Sequence, residues 1–468
     1  MKTQLFFKAK HIHFIGLGGI GVSSLAQLSL VLGKKVSGSD LSASPVIREL
    51  EEKKVQFFLG HSAQNISQST DLVIYSSAVP VTNPERQEAK KKGIPELSYF
   101  QALGELSQKW PTISVAGTHG KSTTTALIGR ILQEAGMSPL VILGAKVLDW
   151  QDNFFYPAKT PNYFVVESCE WQANFLNINP SFIVLTNLEE DHLDYYKDIN
   201  HLKDTFNKFI KKLKTNGWVF SNIDSKNLLS LNYPSHLYTY GLDSPADLMA
   251  QNITVQGKKQ NFDLIERGKF LANIDFNLLG RFNVYNALSA VSLGLKLGAP
   301  LESIKKVLNS FKGLGRRFET AGKMKNKNVL VVSDYAHHPT ALRETLTMAR
   351  QAFPHRRIFL VYQPHQKERT KKLFQKFVDS FWQADLVVLS EIYFVPGRES
   401  DIKISSKDLV EEIKKSPKFK KTPLKEIVFA KNLDKTVEFI NKKILPGDLL
   451  LVAGAGDIYK IISRLDLE

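Results

Sequence analysis

Three times along the chain a short apolar run breaks at a turn and passes into a helical spacing of apolar positions. That is the pattern of β/α order and a parallel sheet. The first run, residues 11–15, meets a glycine turn at 16–21 and predicts a helix over 22–32, with further strands at 35–38 and 72–75. After Pro111 a second run, 112–116, turns at 117–120 and predicts a helix from 121 to about 134, then buried-type strands at 163–166 and 182–186. From about 249 to 279 the period shortens to alternating segments broken by Gly257 and Gly268, which predicts antiparallel strands appended to the α/β core. A helix over about 284–297 closes that region. The third region opens near Gly315, with strands at 329–333, 358–362, 386–389 and 449–452 between amphipathic stretches.

A chain of 468 residues has room for roughly three such domains. Hydrophobic content of 43% and charged content of 23% describe an ordinary globular protein. The single cysteine, Cys169, excludes an internal disulfide and a thiolate metal cluster and fits a reducing compartment, so a cytoplasmic protein is expected. The formal charge of +16 attracts polyanions, nucleotides and sugar phosphates among them. Its lysines at 414, 415, 418, 420 and 421 around Pro417 read as a solvated face, and with no recognisable nucleic-acid module no nucleic-acid partner is expected. The charge-free stretch 14–33 is as long as a membrane span, but Gly16, Gly18, Gly19, Gly21, the two adjacent serines and Gln27 read better as strand, turn and buried helix. A soluble, untargeted protein without membrane contact follows.

Gly16-Leu17-Gly18-Gly19-Ile20-Gly21 satisfies G-x-G-x-x-G between a strand and a helix, and Asp40 ends the next strand, where an acid could meet a ribose hydroxyl. The glycines let a diphosphate approach the backbone at a helix N-terminus. An NAD-dependent oxidoreductase would use such a turn, but UDP-sugars carry a diphosphate too.

The second turn narrows the choice. Gly117-Thr118-His119-Gly120-Lys121-Ser122-Thr123 lies between a strand and a helix, where backbone N–H groups cradle phosphates, lysine neutralises charge and the next hydroxyl can ligate Mg²⁺. Val115 stands at the first glycine position of the strict phosphate-loop pattern, so this is a variant loop. Glu167 ends the strand at 163–166, and His192 follows the next strand end. A carboxylate and an imidazole there could hold Mg²⁺ between ATP and a second substrate, with Ser122, Glu167 and His192 as the expected metal residues.

Read together, these residues resemble the Mur ligases, nearly end to end. The resemblance is carried by 11–16 with its glycine turn, Gly60-His61, Ser76-Ser77-Ala78 with Asn83-Pro84-Glu85, and Gly117-Thr118-His119-Gly120-Lys121. It continues through Thr186-Asn187, Asp191-His192-Leu193-Asp194, Gly280 with Asn283 and Asn286-Ala287, and Arg316-Arg317-Phe318. Asp334-Tyr335, His337-His338-Pro339-Thr340, Gln363-Pro364-His365 and Gly454-Ala455-Gly456-Asp457 complete it. Within the family these motifs are most like those of the branch that joins L-alanine to UDP-N-acetylmuramate.

The resemblance implies an α/β fold of three domains. These are a Rossmann-like UDP-sugar-binding domain (1–107), a P-loop ATPase-like central domain (108–314) and a Rossmann-like amino-acid-binding domain (315–468). It implies ATP and Mg²⁺ as cofactors, UDP-N-acetylmuramate and L-alanine as substrates, and a monomer or homodimer. The sugar carboxylate would take the γ-phosphate of ATP, and the amine would then displace phosphate from the acyl phosphate. By position the family implies Lys121, Glu167, His192 and His338 for catalysis. Residues 117–123, Asn283, Asn286, Arg316 and Asp334 would hold the nucleotide. Gly18, Gly19, His61, Ser76, Ser77, Asn83, Tyr335, His365 and Arg369 would contact substrates.

Four positions depart from the family pattern: Ser122 for threonine, Phe282 for a histidine, Gln366 for an arginine suited to an amino-acid carboxylate, and 167–172 for a more acidic stretch. These leave glycine, serine or a peptide open as acceptor, and with them the peptide-recycling branch that attaches a whole peptide to UDP-N-acetylmuramate. Folate-polyglutamate ligases share the later domains but usually lack a first domain like 1–107. Outside the ligases, the oxidoreductase and a nucleic-acid-stimulated ATPase are the competing classes.

Overall fold

A computed structural model describes residues 4–193, 195–257, 259–325, 327–394 and 402–468, so Asp194 of the 191–194 motif lies outside the described residues. Its strands fall into three sheets. The first holds β1 (His11–Ile15), β2 (Lys35–Asp40), β3 (Gln56–Leu59), β4 (Leu72–Tyr75) and β5 (Glu96–Ser98), all parallel, in the order β3-β2-β1-β4-β5. The chain reverses its winding between β1 and β4, and that switch point opens a crevice at the strand C-termini. The glycine turn leaves β1 there and Ser76 leaves β4.

The central sheet has ten strands. They are β6 (Thr112–Ala116), β7 (Pro139–Val147), β8 (Asp152–Phe155), β9 (Tyr163–Glu167), β10 (Phe182–Leu185), β11 (Trp218–Asn222), β12 (Leu237–Gly241), β13 (Leu248–Gln256), β14 (Lys259–Glu266) and β15 (Lys269–Phe276). Their order, β15-β14-β13-β12-β11-β10-β6-β9-β7-β8, puts β6 between β10 and β9. The expected antiparallel strands are the meander β13–β15, added to the parallel edge at β12.

The third sheet holds β16 (Glu319–Met324), β17 (Val329–Asp334), β18 (Ile358–Tyr362), β19 (Leu386–Ser390), β20 (Glu426–Ala430) and β21 (Leu449–Ala453), ordered β16-β17-β21-β18-β19-β20. Only β16 runs antiparallel.

Burial on both faces explains the continuous apolar runs of the parallel strands. β1, β6, β18 and β21 are buried along their whole length. One core cluster is continuous from Phe14, Leu25 and Leu103 of the first domain to Phe164, Phe175 and Phe206 of the second. Polar contacts reinforce that seam: Asn153 donates to the Ile20 carbonyl and to Ser24 Oγ, and Gln27 donates to Asp152 at 2.9 Å. The domain cut expected at 107/108 falls inside the helix Tyr99–Lys109, whose apolar side belongs to this shared core, so the break in secondary structure comes at Trp110 and Pro111. Among the described residues no helix is long and apolar enough to cross a membrane.

Candidate active site

The phosphate loop leaves β6 at the central switch point. Gly117 has φ +135° and Gly120 φ +82°, and a Cβ would run into Thr186 and Asn187 at the first and into Asn286 at the second. Only glycine fits both demands. The loop is pinned to the end of β10. Thr118 N donates to Asn187 O (3.0 Å), His119 N to Asn187 Oδ1 (2.9 Å), and Thr186 Oγ1 to His119 O (2.6 Å). The helix Lys121–Glu134 then begins with no acid in its first turn, which leaves its positive end available to an anion. Above it opens a cavity of about 560 Å³ between the central and C-terminal domains.

Lys121 Nζ donates to Gly117 O and Thr118 O and pairs with Glu170 Oε2 at 3.0 Å. Burial works against its charge, but Glu170 and the nearby acids outweigh it and raise its pKa above the usual lysine value. Glu170 is 2% exposed, and His192 Nε2 stands 3.4 Å from its Oε1. His192 adopts φ +52°, an unfavourable backbone for a non-glycine residue, and its buried Nδ1 has no hydrogen-bond partner among the described residues. Glu167 and His192, both expected at the metal, line the same cavity. Glu167 Oε2 accepts from Gly144 N at 2.7 Å, and it is Glu170 that meets the imidazole. The sequence offered one signal for this, a second glutamate three residues on, at the start of a bent 3₁₀ segment.

The C-terminal domain closes the cavity. His338 caps the helix Pro339–Ala352 through Nδ1 and lies beside His119, ring centroids 4.9 Å apart. Glu189 lies between them, accepting from Thr340 Oγ1 at 2.8 Å. Arg369 Nε and Nη2 bond to Asp191 Oδ1. Asp334 lines the cavity, and its carboxylate accepts from Phe318 N and Ala336 N, both at 2.7 Å, and from Thr345. Arg316 turns away from the cavity, donating to Gly454 O and Gly456 O and lying over Tyr335 and Tyr459. Arg317, one residue on, lines the cavity in its place.

On the central side Phe282, Asn283, Tyr285 and Asn286 form the opposite wall, with Asn286 donating to Asn283 and Tyr285 to Asp224. Tyr335, His365 and Gln366 line the cavity as well. Gln366 is 5% exposed with φ +70° and a buried Nε2 lacking a hydrogen-bond partner among the described residues.

The first-domain residues form a separate group at the β1/β4 crevice. Gly18 N donates to Asp40 Oδ2 at 2.9 Å, so Asp40 holds the glycine turn rather than standing free for a ribose. Gly19 and Ser77 are exposed, and Ser76 packs on Gly16. His61 contacts Ser39 Oγ and Glu85. Asn83, expected at the substrate, has its side-chain oxygen engaged locally: it accepts from Glu85 N and Arg86 N and caps the helix Pro84–Lys91. Asn-Pro before a polar helical run was the capping signal that reading it as a ligand passed over.

Comparison with known proteins agrees with this geometry. Residues 11–110 match the Mur ligase family catalytic domain, 115–294 the Mur ligase middle domain and 316–456 the Mur ligase glutamate ligase domain. The chain is 39% identical to the UDP-N-acetylmuramate–L-alanine ligase of Acetivibrio thermocellus, covering 97% of this chain and 95% of that one. It is 36% identical to the enzyme of the same name from Desulfatibacillum aliphaticivorans, over 98% of each. Among solved structures, the UDP-N-acetylmuramate–alanine ligase of Thermotoga maritima superimposes with a TM-score of 0.82 at 26% identity, over 97% of this chain and 98% of that one. A murein peptide ligase from Psychrobacter arcticus shares the fold, at a TM-score of 0.73 and 24% identity over 97% and 98% of the two chains.

Proposed function

The chain belongs to the Mur ligase family, and from that premise we propose that it joins L-alanine to the carboxylate of UDP-N-acetylmuramate at the expense of ATP. The observation that carries this reading is one cavity in which a phosphate loop faces His337, Gln366 and Arg369 of another domain. Such a cavity suits three reactants that meet between domains.

A carboxylate acylates an amine poorly, and phosphorylation gives it a leaving group. Two anions must approach in that first step, so fixed positive charge is the main requirement. The loop amides and the N-terminus of the helix Lys121–Glu134 supply part of it, and Lys121 supplies the rest by exchanging Glu170 for phosphate oxygens. The oxygen donors fit magnesium: a hydroxyl at Ser122 and carboxylates at Glu167 and Glu170, with His192, whose Nδ1 has no partner among the described residues, beside Glu170. When bound, the ion would screen the phosphates and the sugar carboxylate from one another. Phe282, Asn283 and Asn286 offer a wall for the nucleoside. In the second step the amine attacks the acyl carbon and phosphate leaves. Arg369 orients the amino-acid carboxylate, and apposition of the two domains keeps water from the acyl phosphate.

The test is phosphate release from ATP with UDP-N-acetylmuramate and L-alanine, glycine, L-serine or the cell-wall tripeptide offered singly. Release confined to L-alanine is expected. Release with the tripeptide alone would move the chain to the peptide-recycling branch, for which the buried Nε2 of Gln366, without a hydrogen-bond partner among the described residues, is the favouring observation. Absence of release with all four acceptors would sink the proposal.

A further inference from the structure

We propose that His119, Glu189 and His338 form a binding site for a transition-metal dication of the zinc class, bridging the central and C-terminal domains. The inference goes beyond the ligation reading and does not depend on which amino acid is joined. His119 comes from the phosphate loop, Glu189 from the segment after β10 and His338 from the loop after β17, so folding of each domain and their apposition are both needed to assemble the trio. One ligand atom from each lies within 4.8 Å of the others. His119 Nε2 is 3.8 Å and His338 Nδ1 4.0 Å from the same carboxylate oxygen, Glu189 Oε2. Ligand atoms at about 2.0–2.2 Å around a tetrahedral ion stand roughly 3.3 Å apart. The two imidazole–carboxylate separations therefore need to shorten by only about 0.5–0.7 Å, and the two imidazole nitrogens start no more than 4.8 Å apart.

The surroundings suit metal ligation. His119 Nε2 is buried without a hydrogen-bond partner among the described residues. His338 Nε2 is 3.3 Å from Glu190 O, which holds the ring proton on Nε2 and leaves Nδ1 as an acceptor, 4.0 Å from Glu189 Oε2. An outer partner of this kind orients most histidine ligands. The ion would displace only the long 3.3 Å bond from Thr340 N to Nδ1, while Thr340 Oγ1 continues to hold the carboxylate. Burial and the adjacent His119 lower the His338 pKa, so its imidazole is neutral near pH 7. Glu189 is ionised there, held down by His119 and Thr340 against the opposing effect of burial.

Two imidazoles and one carboxylate with a position open to the cavity are the donors that zinc prefers, whereas magnesium takes oxygen ligands and keeps its waters. An ion there ties the two domains together beside the phosphate loop, so zinc slows turnover in the presence of ample Mg²⁺.

The direct test titrates the nucleotide-free, full-length protein with Zn²⁺ in excess Mg²⁺ by calorimetry, so that it succeeds or fails independently of ligation. Wild type is expected to bind a single ion. Glu189→Gln, which keeps the side-chain shape, and His338→Ala are expected to weaken binding at least ~100-fold, the upper end of what loss of an outer partner costs. Cys169→Ser is expected to bind as wild type does. Unchanged affinity in both Glu189→Gln and His338→Ala, or no binding to wild type, would overturn the proposal. So would loss of binding in Cys169→Ser, or a thiolate charge-transfer band with Co²⁺, because either assigns the ion to Cys169, Glu170 and His192 instead.

Discussion

Arg369 of the C-terminal domain donates through Nε at 3.0 Å and Nη2 at 2.8 Å to one carboxylate oxygen of Asp191 in the central domain. Both side chains are almost wholly buried, 6% and 7% exposed. Burial opposes the Asp191 charge, but Arg369 foremost and the histidines around it hold its carboxyl well below the ordinary range. A buried pair of this kind is strongly destabilising to break one-sidedly, at about 3–5 kcal/mol, because the remaining charge is stranded. The pair fixes the orientation of the guanidinium assigned to the amino-acid carboxylate.

That assignment is tested by Arg369→Lys, which keeps the charge and loses the fork. The KM for the amino acid is expected to rise about 10–100-fold while the KM for ATP stays within about twofold, as for loss of a bidentate contact. Asp191→Asn should shift the same constant in the same direction. A parallel rise in every KM would reduce the pair to a structural tie between domains.

Lys121→Ala is expected to lower kcat by about 10²–10³-fold or more, the scale set by losing one preorganised charge from a phosphoryl-transfer site. Binding of the UDP-sugar should stay near wild type by calorimetry, since the first-domain residues proposed to hold it lie at the other switch point. Normal turnover in this variant would remove the phosphate loop from the mechanism.

His192→Ala should chiefly raise the Mg²⁺ concentration needed for half-maximal rate, by about 10-fold or more. The same variant relieves none of the strain at φ +52°, since alanine takes that backbone no more readily than histidine, so no gain in stability should accompany it. A wild-type Mg²⁺ profile would leave His192 as a structural residue.

Glu85 is fully buried and accepts from Ser39 at 2.6 Å and Asn65 at 2.5 Å, with His13 and His61 alongside. Burial opposes its charge, yet the His13, Ser39 and Asn65 contacts prevail and lower its pKa. A lowered folded-state pKa contributes stability above the unfolded value near 4.5, and that contribution is lost as pH falls through the folded value. Thermal unfolding of wild type should therefore weaken more steeply between about pH 5 and pH 3 than that of Glu85→Gln. Equal slopes would show that Glu85 carries none of the acid sensitivity.

Much of the fold was legible because parallel strands buried on both faces must be unbroken apolar runs. β1, β6 and β18 fall where those runs lie. Strands flanked by polar or aromatic residues, such as β8, β11 and β16, gave no such run and were missed. The phosphate loop was legible for a related reason: glycines at φ +135° and +82° leave a trace in one dimension, since no other residue takes that backbone under Thr186 and Asn286. Asn83 and Asp40 were read toward ligands because their types suit both uses, and only hydrogen-bond geometry separates a cap or a turn brace from a free side chain.

Local chemistry, then, was legible in the sequence itself: which turns have the backbone suited to a phosphate, which runs are core, and that Lys121, Glu167, His192 and Arg369 are candidates for charge and metal. Tertiary structure decided the pairings. His192 meets Glu170, three residues beyond Glu167, because the chain bends after β9. Arg317 faces the cavity where Arg316 bonds back to the 454–456 loop. Asp191 and Arg369 meet only when the two domains come together. Backbone conformation depends on neighbours along the chain and is written there. Which buried charge faces which depends on packing between elements far apart in sequence, and no local pattern encodes it.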